Sequence, residues 1–381
     1  MPDKKSRNAG LQAPSPAGSQ ESPMKRRDFL RTAGTVAGST LLGGTSVFSM
    51  AYTNAAIPEK VVNGMPRRLL GRTGRYVSLV GFPGLSLVHD DLDQERCTAA
   101  VHSVFQRGLN YFDVAPAYGD GKCEIRLGIA LQGLDRSELF LACKTKRRDG
   151  EAARRELETS LERLKTDYFD LYQLHHVRSV EEARQALGPG GAMEVILKAQ
   201  QAGTIRHIGF SAHTTLGALE LMRGFPFDTV MFPINFVELY NRGFGKEVLD
   251  LANQQGAAVI SIKTMSWGGW PDSAARTRNW WYRSVEEKEE VDLAWRFVLS
   301  RRGVVAGIPP SFIDLTEGAI EAVKAYRPPT EAELAKLQQM AAGCASLFEQ
   351  EEARYAPRQA AARLDADGVS EHEVPGYWER V

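Results

Sequence analysis

From Tyr76 onward the chain repeats one pattern: a short apolar run of strand type, a break at glycine or proline, then a longer amphipathic stretch. The runs are Tyr76 to Phe82, Leu109 to Val114, Leu139 to Lys144, Phe169 to His175, Ile205 to Phe210, Thr229 to Ile234, Ala257 to Ile262 and Val304 to Ile308. Helical stretches follow them: Asp93 to Gly108, Lys122 to Gly133, Gly150 to Leu164, Val180 to Gly203, Thr214 to Arg223, Gly245 to Gln255, Val285 to Arg302 and Phe312 to Tyr326. The fourth of these is broken at Gly188-Pro189-Gly190-Gly191. Eight such alternations within about 250 residues predict an α/β chain closed into a (β/α)8 barrel, the TIM barrel. An open doubly wound sheet is the alternative, but it carries a G-x-G-x-x-G turn after its first strand. Gly81-Phe82-Pro83-Gly84 does not supply one.

A parallel barrel gathers the C-terminal ends of its strands on one face. Three runs end on a group with chemistry. Leu109 to Val114 carries Asp113 and is followed on the loop by Tyr118, the third run ends in Lys144, and the fourth in His175. A free phenol has a pKa of about 10 and needs help to give up a proton near neutrality. A neighbouring cation would lower that pKa, and a further hydrogen-bonding group would relay the proton. His176 should point away from His175 on strand alternation.

Asp113, Tyr118, Lys144 and His175 stand in the words Phe112-Asp113-Val114-Ala115, Tyr118-Gly119, Lys144-Thr145 and Asp170-Leu171-Tyr172 before Leu174-His175. In order and spacing the chain resembles the aldo-keto reductases over roughly Met65 to Arg327. The resemblance implies Tyr118 as general acid on a carbonyl, Lys144 tuning it, Asp113 fixing the lysine and His175 orienting the carbonyl. It implies NADP(H) or NAD(H) as cofactor, with Ser211, Asn235, Lys263, Met265 and Ser311 at the cofactor-binding positions. Several of these depart from the family pattern. The asparagine after Ser211 is missing, and the turn Ile262-Lys263-Thr264-Met265-Ser266 lacks the stacking aromatic. Ile308-Pro309-Pro310-Ser311 lacks the lysine that neutralises a 2′-phosphate. The reading is an NAD(P)(H)-dependent oxidoreductase interconverting carbonyl and alcohol. The other reading is a catalytically weak nicotinamide-binding barrel that acts as a sensor or partner-binding module.

The flanks are different material. Residues 1–23 are rich in Pro, Ser, Ala, Gly and Gln and are expected to be disordered. Lys25-Arg26-Arg27-Asp28-Phe29-Leu30-Arg31 precedes a glycine-rich, weakly apolar run and Ser49-Met50-Ala51. That pattern predicts a twin-arginine signal peptide within the leader, residues 1–51, and hence the twin-arginine export machinery as partner and a periplasmic or otherwise exported location. An uncleaved membrane anchor is the alternative, although the run is too glycine-rich for a stable membrane span. The leader carries seven basic and three acidic residues, so the formally neutral chain has net charge −4 without it. No basic excess suggests nucleic acid. The four cysteines include no C-x-x-C pair, and no histidine cluster has zinc spacing, so no metal site is expected.

Residues 52–64 read as a linker and 65–328 as the barrel. Arg67 to Gly71 and Tyr76 to Phe82 flank a turn at Arg72-Thr73-Gly74, a hairpin running into the first strand. Residues 329–381 form a C-terminal helical extension and tail, with Thr330 and Glu333 in capping-box spacing. One loop, Met265 to Arg283, holds Trp267, Trp270, Trp280, Trp281 and Tyr282. It reads either as packing on the barrel shoulder or as an aromatic wall over the site.

Overall fold

A computed structural model of the chain describes residues 60–271 and 275–356. The leader, where the export signal is expected, the linker up to residue 59 and the tail after residue 356 lie outside the described residues.

Eight parallel strands form one sheet: β4 (Gly81–Pro83), β5 (Tyr111–Asp113), β6 (Phe140–Thr145), β7 (Phe169–Val177), β8 (Ile205–Ala212), β9 (Thr229–Pro233), β10 (Ala258–Ile262) and β11 (Val304–Gly307). Each pairs with its sequence neighbour. The ends meet through a parallel bridge between Val80 and Gly307, where the Gly307 N–H donates to the Leu79 carbonyl at 2.9 Å. Glycine is required there, because a Cβ on Gly307 would come within 2.8 Å of Trp295 and Thr264. The sheet is thereby a barrel, as the alternation predicts.

An antiparallel sheet of β1 (Lys60–Val62), β2 (Met65–Leu69) and β3 (Tyr76–Ser78) precedes it. The β2–β3 hairpin is the predicted one, while β1 pairs back onto it from within the stretch read as linker. Arg68 reaches from β2 to the end of the barrel and donates to the carbonyl oxygens of Leu299 and Val304, both at 2.9 Å.

Helices α1 (Gln94–Gln106), α2 (Lys122–Ala130), α3 (Gly150–Leu164), α4 (Val180–Leu187), α5 (Ala192–Gln201), α6 (Thr215–Gly224), α7 (Phe236–Arg242), α8 (Lys246–Gln255), α9 (Lys288–Leu299) and α10 (Ile313–Lys324) connect the strands. Their starts follow the sequence: Asp93, Asp149, Ser179, Thr214 and Asn235 each accept a backbone N–H of the first turn. The extension is two helices rather than one, α11 (Glu331–Ala341) and α12 (Glu349–Tyr355), with the Thr330–Glu333 capping box present. Glu238 ties it down, accepting from the Leu347 N–H at 2.6 Å and the Ser346 hydroxyl at 2.7 Å. Among the described residues no helix is long and apolar enough to cross a membrane.

Strand alternation divides the core in two. One face of β6 gives Leu141 and Cys143 to the layer under the helices, and the other gives Phe140 and Ala142 to a smaller interior cluster with Tyr111, Leu171 and Ile260. The interior rows therefore run Tyr111–Asp113, Phe140–Ala142–Lys144 and Leu171–Gln173–His175. At the C-terminal end of each row apolar filling gives way to a polar group.

Candidate active site

Those row ends meet. Lys144 is fully buried, its Nζ hydrogen-bonded to Asp113 Oδ1 and, at 3.0 Å, to the Val114 carbonyl. Asp113 also accepts from the Tyr111 hydroxyl at 3.2 Å and the Gln173 amide at 3.5 Å. The Tyr118 ring centre is 5.1 Å from Lys144 Nζ, and its ring meets that of His175 edge-on with centroids 5.6 Å apart. The four groups singled out in the sequence thus form one contiguous cluster; Asp113, Tyr118 and His175 line the cleft above it, with Lys144 beneath. The cleft encloses about 850 Å3, counting the part open to solvent.

The electrostatics differ in one respect from the expectation. Burial pushes the Tyr118 phenol up to about 12, while the Lys144 charge and hydrogen bond pull it down without prevailing. The cation therefore limits the rise rather than bringing the phenol below its ordinary value. Burial also acts to lower Lys144, but Asp113 and Tyr118 more than offset it and hold the ammonium above the usual lysine value. His175 is driven well below the ordinary histidine value, first by burial and then by the charges of Lys144 and Lys146. Its imidazole is neutral at physiological pH and can donate a hydrogen bond without carrying a proton surplus.

His176 does not point away. The β7–β8 pairing shifts register between Leu174 and Val177, and His176 takes a left-handed backbone with φ 55°. That bulge puts His175 and His176 on the same cleft. The Ser211 hydroxyl accepts the His176 N–H at 2.8 Å and so holds the bulge.

Of the residues assigned to cofactor binding, Ser211, Lys263 and Ser311 line the cleft. Asn235 does not: it is fully buried as the cap of α7, its Oδ1 accepting from the Glu238 N–H at 2.9 Å. Nor does Met265, which is packed in the core under the helices. Lys263 is another left-handed residue, φ 58°. Its ammonium sits 5.2 Å from the Trp281 ring centre, and burial lowers it to about 8 against the opposing charge of Glu351. At the far wall, α10 starts without a side-chain cap, leaving first-turn N–H groups suited to an anion. Arg278 lies there, 4.9 Å over the Phe312 ring and paired with Asp314.

The tryptophan-rich loop does both things its composition suggests. Trp280 and Tyr282 line the cleft. Trp267 packs on the shoulder, donating to the Met340 carbonyl at 3.2 Å with Arg283 stacked 3.8 Å over its ring. Three groups near the site were not picked out from the sequence: Lys146, Gln173 and Glu351. The first two were within reach, since Lys146 continues one interior row by two residues and Gln173 stands inside another, two residues before His175. Glu351 had no local signal.

The chain matches the aldo/keto reductase family model over residues 80–323. It is 33% identical to an L-galactose dehydrogenase of Arabidopsis thaliana over 156 residues, covering 38% of this chain and 47% of that protein. It is 30% identical to a methylglyoxal reductase of Escherichia coli over 230 residues, 57% of this chain and 75% of that one. The chain spans about half the length of the curated relatives it first matches, 47%, 59% and 51%. An aldo-keto reductase of Bacillus halodurans in its holo form superposes with a TM-score of 0.60 at 23% identity, over 76% of this chain and 99% of that one. An aldo/keto reductase of Klebsiella pneumoniae, solved with NADP and acetate, does so with a TM-score of 0.56 at 22% identity, over 72% and 94%. With the barrel, the cluster at its strand ends and the family match spanning β4 to β11, the chain belongs to the aldo/keto reductase family.

Proposed function

We propose that this protein is an NAD(P)(H)-dependent oxidoreductase that interconverts an aldehyde or ketone and the corresponding alcohol. The observation that carries the reading is the meeting of Tyr118, the Lys144–Asp113 pair and a neutral His175 at the mouth of the barrel. Tyr118 donates its proton to the carbonyl oxygen. His175 hydrogen-bonds the same oxygen and orients it. Lys144 stabilises the phenolate that remains, and Asp113 keeps the lysine charged and in place.

The residues present fit a nicotinamide dinucleotide. Ser211 offers a hydroxyl toward an amide-bearing ring, Trp280 and Tyr282 offer flat apolar walls, and the uncapped start of α10 beside Arg278 suits a phosphate. Reduced nicotinamide, when bound, supplies the hydride. The solved Klebsiella relative was crystallised with NADP. No lysine stands at Pro310; Arg278, paired with Glu286 and Asp314 at the start of α10, is a candidate cation for a 2′-phosphate, and NADP and NAD are both accommodated by the proposal. The leader motif Arg26-Arg27 supports export of the folded protein by the twin-arginine route.

The test is loss of reduced-nicotinamide absorbance when purified protein meets a panel of aldehydes and ketones, with NADPH and with NADH. Turnover that vanishes in Tyr118→Phe supports the proposal. Cofactor binding with no turnover on any carbonyl would leave the sensor or partner-binding reading.

A further inference from the structure

Three side chains from separated parts of the chain meet at one edge of the cleft. His176 comes from the β7 bulge, His213 follows β8, and Glu351 comes from α12. His176 Nε2 is 3.4 Å from Glu351 Oε1, and His213 Nδ1 is 3.8 Å from Glu351 Oε2. The donor atoms of all three lie within 4.8 Å of one another. Glu351 is 2% exposed, and neither of its carboxylate oxygens has a hydrogen-bond partner among the described residues.

A hydrogen-bonded histidine–carboxylate pair closes to about 2.7–3.2 Å. Here one carboxylate faces two imidazoles, and both separations are wider than that. The His176–Glu351 separation instead matches the edge of a coordination tetrahedron, since ligands about 2.0–2.1 Å from a zinc ion stand about 3.4 Å apart, and the His213–Glu351 separation, at 3.8 Å, closes to that edge with a small turn of the ring. The imidazole rings lie with centroids 4.1 Å apart at 65°, so they approach one point from different directions. The left-handed backbone of His176 is what brings its ring to that point. No spacing rule finds such a set, because its members are 37 and 138 residues apart in the chain.

We propose that His176, His213 and Glu351 bind one divalent transition-metal ion of the zinc type. Two imidazoles and a carboxylate are a donor set such ions accept, and three protein ligands leave a fourth position open. His176 and His213 both line the cleft, so that position faces the space shared with Tyr118 and His175. A bound ion also ties the C-terminal extension to the ends of β7 and β8. Glu351 feels the charges of Arg178, Lys263 and Arg354. Glu182 adds a negative charge on the other side of the balance, so the ion is held by coordination to nitrogen more than by the surrounding field. Mg2+ and Ca2+, which prefer oxygen donors, do not compete. The proposal does not depend on the carbonyl chemistry above.

The experiment strips the purified full chain with a chelator, dialyses it against Zn2+ or Co2+ and measures metal content and, for Co2+, the visible spectrum. One equivalent per chain, a Co2+ spectrum of low coordination number and no displacement by excess Mg2+ are expected. Glu351→Gln and His213→Ala should each weaken binding at least about tenfold, with folding checked by thermal melting in chelator. No Co2+ bound by the unaltered chain at micromolar free metal overturns the proposal whatever the variants do. A folded Glu351→Gln with unchanged stoichiometry and spectrum overturns it as well.

Discussion

Lys144 lies buried beneath Tyr118, its ammonium 5.1 Å from the centre of the tyrosine ring, so the phenol sits over a cation that no solvent screens. Replacing Tyr118 by Phe keeps the ring and removes only the proton. Carbonyl reduction should fall by roughly 10² to 10⁴-fold, the usual worth of general acid catalysis. Cofactor affinity, followed by fluorescence titration, should not move. A Tyr118→Phe enzyme with parental turnover on any accepted substrate would refute the acid assignment.

The Lys144–Asp113 pair makes a second prediction. Lys144→Met leaves a buried carboxylate without its cation and should cost about 3–5 kcal/mol of stability. Adding Asp113→Asn should recover most of that loss without restoring turnover. Chemical denaturation of the single and double variants decides it; equal stability of the two would mean the pair is not coupled. Because the folded pKa of Lys144 is raised, its contribution is fully present below the unfolded value of about 10.4. It is lost only as pH climbs through the folded value, so this stabilisation is flat across neutral pH.

With Tyr118 as the proposed acid, held at about 12 by burial, the two directions should differ in their pH profiles. Reduction needs the protonated phenol and should be level from neutrality to about pH 9 as far as this group is concerned. Oxidation needs the phenolate, whose population rises tenfold per pH unit below the pKa. Its kcat/KM should therefore climb with a slope near one over the same range. A plateau in oxidation near pH 8 would show that Lys144 prevails over burial.

Glu238 joins α7 to the C-terminal extension through Ser346 and Leu347. Glu238→Ala removes both acceptors, and the two donors left behind should cost about 1–3 kcal/mol each where they stay buried. The variant should melt lower and become sensitive to limited proteolysis between residues 342 and 356. Unchanged protection of that segment would show that the stacked Phe244–Phe348 pair, with centroids 5.1 Å apart, suffices to hold it.

Arg26-Arg27→Lys-Lys should leave the precursor in the cytoplasm, as read by cell fractionation. Export equal to that of the parent would argue for another route.

The barrel was legible because a period-2 row of interior residues is also a row of chemistry at its end: Phe140, Ala142 and Lys144 announce both strand and site. The twisted end of β7 was not legible. A one-residue bulge there reverses the facing of His176, and alternation has no term for it. The capping role of Asn235 was not legible either, since a helix cap and a cofactor contact ask for the same amide. Glu351 depends on a chain break at residues 342–348 that turns α12 back over the mouth, a long-range packing event with no local cue. Short α7 was absorbed into the loop around Asn235, its seven residues giving too little periodicity to register.

Closure through Val80 and Gly307, with Arg68 reaching the Leu299 and Val304 carbonyls, joins residues more than 220 positions apart. During synthesis the closing bridge and the Val304 acceptor exist only once β11 has left the ribosome. A chain halted earlier holds an unpaired β4 edge and an Arg68 guanidinium that lacks its Val304 acceptor. Closure is thereby a late event in the making of this chain: the barrel locks only after its eighth parallel strand is present. A transport route that accepts folded cargo would receive, in this protein, a barrel whose closing seam joins the first parallel strand made to the last.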